Sequence, residues 1–264
     1  MNGKVTVTLT ADLYLRNVKN LTASYSGSYK YEASTSSVVT AQIQKRRATL
    51  TVTTVPTLGK QDNNIIFKAY LKDVTHNSKN KTSLSTGGTV IFKVNGNTIK
   101  DESGSQIHVD VINNVATYTY YVEPGTASVY KNGSIRHYSL EAVYDNPSFY
   151  PDTRNKTVFH VDKSDVTINF VKTTVKGTKL SVRATMTDYK GNNLVGNSTI
   201  AIKINGRTYQ ENGKAKYFNI VNGKVNLSGL KLSPGEKVHS VMIVTGERQS
   251  YHAARETTTD ITTS

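Results

Sequence analysis

Apolar and polar residues alternate along most of this 264-residue chain. In one stretch Ile65, Phe67, Ala69 and Leu71 share a face while Lys68, Tyr70 and Lys72 share the other, with Ile66 the one apolar exception. In another, Leu180, Val182, Ala184 and Met186 form the apolar face. A period of two predicts half-buried strands in antiparallel sheets. Thr, Val, Ile and Tyr dominate these runs and suit a pleated surface. No stretch carries a convincing helical period. The pattern predicts strands near 48–55, 64–72, 88–94, 106–112, 114–122, 136–144 and 155–162. It predicts a second set near 165–172, 178–187, 198–205, 214–220, 223–230, 237–245 and 255–263. Three more, near 3–9, 18–25 and 36–44, open the chain. Asn95-Gly96 and Asn205-Gly206 are tight-hairpin signals, and Lys190 to Asn193 and Asn222-Gly223 are further turns.

The two long sets are copies. Thr89 to Gly96 (TVIFKVNG) matches Thr199 to Gly206 (TIAIKING), 110 positions later. Downstream, Val111 to Val115 matches Ile220 to Val225, and the Pro-Gly at Gly125 matches the one at Gly235. Asn2 to Val5 repeats Asn222 to Val225. A period near 110 is the size of a whole domain, too long for a solenoid unit. The expected organisation is a partial repeat over 1–45, whose strands match only the last three of a repeat, then complete domains over 46–163 and 164–264. The opening in mid-repeat reads as a piece of a longer protein. Seven short strands with turn signals at this spacing argue for an immunoglobulin-like sandwich. The joints at Lys45 to Arg47 and Asp162 to Ser164 contain neither Gly nor Pro, which favours a stiff, elongated array over beads on a string. A half sandwich exposes one apolar face, so 1–45 is expected to be loosely ordered or to pair with a neighbour.

Composition narrows the function classes. Cysteine is absent, which removes disulfides, thiolate metal sites and cysteine nucleophiles. The net charge of +14 is spread as +3 over 1–45, +4 over 46–163 and +7 over 164–264, unlike the clustered stripe of a nucleic-acid groove. No apolar run is long enough to span a membrane. No two of the six histidines share a zinc spacing. No phosphate loop, opposed carboxylate pair or triad is evident, and the reading is non-enzymatic, with no cofactor. Calcium would need carboxylates converging at a joint; Asp162 and Asp165, or Asp73 and Asp152, are the only ones to consider, and Lys163 between the first two weakens the case.

Leu21 to Ser37 carries Tyr25, Gly27, Tyr31 and Ser34 in an arrangement that resembles the penultimate strand and turn of bacterial and archaeal Ig-like repeat domains. The second copy keeps Tyr144 and Tyr150 at the same separation of six, with Asn146 in place of the glycine; the third keeps Tyr251 but has Thr245 for the first tyrosine. The cysteine-free, Lys/Asn/Tyr/Thr-rich make-up is similar to adhesin-like surface proteins of methanogenic archaea. The resemblance implies an extracellular stalk or adhesive array at the cell surface. Its partners would be a glycan or protein of another cell or cell wall, and neighbouring repeats. It implies no active-site residues. A spacer without ligand, a surface-layer or fibre module, and a polyanion binder are the alternatives. Some look-alike stalk domains carry a Lys–Asn crosslink, for which Lys68, Asn155 and Glu141 are the candidates; Lys68 alternates to the wrong face.

Exposed tyrosines are natural platforms for sugar rings. Tyr118, Tyr120 and Tyr121 lie within four positions, and some must point outward; the competing reading is that they cover the sandwich. The polar loop Thr75 to Gly88, longer than its counterpart at 188–198, adds Lys79 and Lys81 to this candidate contact surface. Six glycosylation sequons occur, at Asn20, Asn80, Asn132, Asn155, Asn197 and Asn226; Asn80 and Asn132 fall between strands and are the candidates.

Overall fold

The structure is a computed structural model that describes residues 3–9, 20–41, 44–75, 84, 87–130, 132–148 and 150–263. Among these residues every regular element is a strand. None is a helix that could cross a membrane.

The first long set forms two layers. One is a three-stranded sheet of β1 (Ala48–Val55), β3 (Asn63–Asp73) and β6 (Val115–Val122), with β3 central. The other orders β5 (Val109–Asp110), β4 (Thr89–Val94), β7 (Tyr138–Asp145), β8 (Thr153–Asp162) and β2 (Leu58–Lys60). All contacts are antiparallel except β8 with β2. The alternation accounts for the core: Ile65, Phe67 and Ala69 are fully buried, as are Val90, Leu140, Ala142 and Tyr144 from the facing layer. Lys72 and Tyr70 stay outside. Asn95-Gly96 closes its hairpin with both residues at positive φ, as the sequence signal requires.

The second set comprises β9 (Thr167–Lys176), β10 (Lys179–Thr187), β11 (Asn197–Ile204), β12 (Tyr217–Val221), β13 (Lys224–Lys231), β14 (Val241–Thr245), β15 (Ala254–Thr258) and β16 (Thr262–Thr263). The hairpin at Asn222-Gly223 hydrogen-bonds β12 to β13, so the two layers run as one continuous path, β15-β14-β11-β12-β13-β10-β9-β16. Its core is aliphatic, built from Leu180, Val182, Met186, Leu194, Ile200, Ile202 and Ile243, with Tyr251.

The opening segment departs from expectation. Residues 4–9 form no strand, and Val5, Val7 and Leu9 are exposed. A strand needs a neighbour for its backbone groups, and none pairs with this stretch among the described residues. Asn20–Leu21 pairs with Val39–Thr40 and Ser24–Tyr25 with Ser34–Thr35, a ragged hairpin. Leu21, Tyr25 and Tyr31 are 41%, 46% and 70% exposed, whereas Leu140, Tyr144 and Tyr150, their counterparts in the repeat, are wholly buried. The same residue types are exposed here because no opposing sheet covers them among the described residues.

Candidate functional site

Parity on β6 decides the tyrosines. Ala116 and Val122 face the core, so Tyr118 and Tyr120, in step with them, turn inward. Phe67 stacks on Tyr120 at 5.0 Å and meets Tyr118 at 6.5 Å; Phe92 stacks on Tyr118 at 6.2 Å. These two tyrosines therefore extend an aromatic core while remaining part-exposed. Burial pushes the Tyr120 hydroxyl pKa up. Tyr121 is out of step and exposed. Lys79, Lys81 and Asn80 lie outside the described residues. Asn132 is exposed in a turn, its Oδ1 accepting from Ser134 N at 3.0 Å. Lys68 lies on the β3 sheet, out of step with Phe67, whereas Asn155 and Glu141 lie on the other sheet, so the crosslink geometry is absent.

Asp73 is already engaged. It takes an ion pair from Arg46 at 2.5 Å and hydrogen bonds from Thr75 at 2.5 Å and Tyr150 OH at 2.9 Å. Burial opposes its ionisation, but these donors outweigh it and hold the carboxyl at about 2. The Asp73 carboxylate is thus engaged by Arg46, Thr75 and Tyr150 together. Among the described residues no group of three or more metal-ligating side chains converges.

The most built polar site is the joint between the two cores, where the polar loop Gln61 to Asn64 meets the turn at Lys190 to Asn193. Gln61 is 1% exposed. Its Nε2 donates to Ser250 O at 2.6 Å and its Oε1 accepts from Gly125 N at 2.7 Å. Its carbonyl accepts from Tyr189 OH at 2.9 Å. Beside it Asp62 receives the Tyr121 hydroxyl, Asn192 Nδ2 at 3.0 Å and Lys190 Nζ at 3.4 Å, while Lys190 also reaches the Asp62 carbonyl. The hydrogen bond from Tyr121, then Lys190, keep the Asp62 carboxyl below its usual range; the same bond pushes Tyr121 up to about 12. Ser250 Oγ donates to Gly125 O.

Local sequence explains how the far side is presented. Asp188, 4% exposed, accepts the backbone N–H groups of Lys190 and Asn192, each at 2.9 Å, and so folds 188–192 into a loop that aims Tyr189, Lys190 and Asn192 at Gln61 and Asp62. The Lys190 to Asn193 turn signal was readable; its docking was not, because the partners lie 128 to 130 positions away. The connecting segment is fixed as well. Lys163 is buried and pairs with Glu247 at 2.7 Å, and Ser164 bridges to Tyr251. That pairing, with His252 nearby at 3.3 Å, holds the Glu247 carboxyl below its usual range.

No family model matches the chain, and no curated protein matches it. Solved structures do. A titin fragment is 11% identical over 83% of this chain and 96% of its own, with a TM-score of 0.40. The mouse nectin-like molecule 4 ectodomain is 11% identical over 83% of this chain, with a TM-score of 0.30. The Yersinia pseudotuberculosis adhesin InvE is 14% identical over 80% of this chain, with a TM-score of 0.34. The chain spans 65% and 58% of the latter two. The sandwich description itself rests on the strand order and the two cores.

Proposed function

We propose that this chain is a non-enzymatic segment of a cell-surface adhesin-like protein, in which Ig-like units over 46–163 and 164–264 stand in a tandem array that projects and supports attachment. The observation that carries the reading is Gln61: a buried amide bonded to Gly125 of its own unit and to Ser250 of the next. A buried amide stripped of its partners costs about 1–3 kcal/mol, so bending at this joint is opposed. A segment that must hold a distal tip away from a surface needs that resistance. The partners are a glycan or protein of another surface and neighbouring repeats of the same protein, and the location is extracellular. The inward turn of Tyr118 and Tyr120 favours a second reading for unit 46–163, that of a spacer without ligand.

NMR relaxation on the whole chain tests the array. One anisotropic tumbling tensor for both units is expected, separating into two in Gln61→Ala with both cores still folded. Two independent tensors in the native chain would overturn the reading.

A further inference from the structure

We infer that the outer face of β11, β12 and β14 is a binding site for a carboxylated saccharide, and that the equivalent face of the first sandwich is not. The inference goes beyond the joint, which lies elsewhere and can fail independently.

The two faces align row by row. In the first sandwich Ile91 sits beside Val143, which sits beside Arg154. In the second, Ala201 sits beside Val244, which sits beside Arg255, with Tyr217 on the other side of Ala201. Replacing Ile91 by Ala201 removes the side chain that would floor the trough. The groove volumes follow, about 250 Å³ on the first face and about 780 Å³ on the second.

The charges diverge in the same place. Around the small groove Lys93, Arg154 and Lys156 stand with Glu141, Asp145 and Asp152; Glu141 is opposite Lys93 and 3.7 Å from Lys156. At the large groove Met242 is opposite Lys203 and Gly246 stands where Asp145 does, so two carboxylates are gone. Arg248 occupies the position of Pro147, adding a guanidinium at the groove's end. Neither Lys203, Arg248 nor Arg255 has a carboxylate within ion-pair distance among the described residues. Glu247, which also lines the groove, is paired with Lys163 and lies beside His252.

Arg248 is fixed in place at the groove's end. Its Nη1 donates to Asn197 O at 2.8 Å and to Ser198 Oγ, and its plane lies over Tyr251 at 4.9 Å. Nε and Nη2 are buried and donate to nothing among the described residues. A desolvated guanidinium without a counter-ion is costly, and such groups call for a functional explanation. Burial also lowers its pKa.

The lining selects a saccharide over a peptide. β11, at the centre of the groove, is hydrogen-bonded on both sides, to β12 and β14, so it offers no edge of its own to an added peptide strand. What faces the trough is the exposed ring of Tyr217 with the amide and hydroxyl of Asn219 and Thr199, groups that stack on a sugar ring and bond its hydroxyls. The carboxylate is then drawn to the cationic part of the lining, where Arg248 stands with Lys203.

Isothermal titration of the full chain with oligogalacturonate, its methyl ester and oligoglutamate, at about 0.5 M salt to screen diffuse attraction, tests this. Binding of the free acid is expected, with at least about tenfold loss on esterification, in Arg248→Gln and in Ala201→Ile, which refills the trough. Ile91→Val on the other face should leave affinity unchanged. Thermal melts check folding of each variant; Ala201→Ile keeps the charge, so it separates shape from electrostatics. No binding of the acid, equal binding of the ester, or insensitivity to both groove variants would overturn the inference. Equal binding of oligoglutamate would overturn the saccharide in favour of an acidic peptide.

Discussion

The two sandwiches share a strand plan but fill it differently. Phe67 pairs with Tyr118 in the first, and Val182 pairs with Leu227 at the equivalent register in the second; Phe92 stands where Ile202 does. One core is a cluster of rings, with Phe67 5.9 Å from Phe92 and 5.4 Å from Phe159, and the other is aliphatic. What is retained is the parity of apolar positions, not their identity. Volume-matched apolar sets can occupy one plan as long as the inward face stays inward. The comparison can be broken directly. Phe67→Ala should cost the first unit about 3–5 kcal/mol, and Val182→Ala should cost the second about 1–3 kcal/mol. Urea unfolding followed by circular dichroism and tyrosine fluorescence reads both. Equal losses would mean that the ring cluster contributes nothing beyond ordinary apolar packing.

The paired tyrosines sharpen the contrast. Tyr150 donates to the buried Asp73, whereas Tyr251 accepts from Val195 N at 3.0 Å. The first unit thus ties its corner tyrosine to a carboxylate, and the second ties its own to a backbone N–H. Asp73→Asn should destabilise it by about 2 kcal/mol near neutral pH, the size of a charge-assisted hydrogen bond. The sign with pH follows from the depressed carboxyl. Below the ordinary carboxylate range the unfolded chain takes up a proton that the folded unit refuses. The contribution is therefore full above about pH 4 and lost as pH falls through about 2. Melts across that window should show the acid limb flattened in Asp73→Asn. An unchanged limb would remove Asp73 as its source.

Much of this fold was legible because alternation is local. Ile65, Phe67, Ala69 and Leu71 announced their own burial, and Asn95-Gly96 its own turn. On the tyrosine strand, counting in twos from Ala116 turns Tyr118 and Tyr120 toward the core and Tyr121 away from it. The joint was not legible, because Gln61 looks like any loop amide until Ser250, 189 positions away, is brought against it. The groove was hidden for a related reason. It depends on Ala201 being small beside Tyr217 and Val244, neighbours set by strand register and not by sequence distance. The opening hairpin shows the converse, where Leu21, Tyr25 and Tyr31 carry the right pattern but burial needs a second sheet.

Two Pro-Gly turns at equivalent places separate joint from scaffold. Gly125 and Gly235 have φ of +78° and +76°, so alanine is strained at either by about 1 kcal/mol. At Gly235 an added Cβ meets nothing within 4 Å, whereas at Gly125 it lies 3.3 Å from Val195 Cβ of the other unit. Gly125→Ala should therefore lose more stability than Gly235→Ala by a further increment below about 1 kcal/mol, and it alone should alter small-angle scattering. Matching effects on stability and scattering would argue that Val195 has room to yield and that the joint does not depend on this contact.

The smallest effect sits on the exposed side of the joint, and its sign is the reverse of that at Asp73. Tyr121 donates to Asp62, and that bond, with burial second, raises the hydroxyl to about 12. A raised tyrosine is neutral in the folded chain when its unfolded counterpart has begun to ionise. Its contribution is thus intact below about pH 10 and lost as pH rises through 12. Ultraviolet titration of the native chain against Tyr121→Phe should remove one late-ionising hydroxyl. Asp62→Asn should move that hydroxyl back toward the ordinary tyrosine range, because the carboxylate is the main cause of the shift. If the alkaline limb were the same in all three proteins, Tyr121 would be a surface ring that merely lies near Asp62. The joint would then rest on the buried amide of Gln61 and the loop shaped by Asp188.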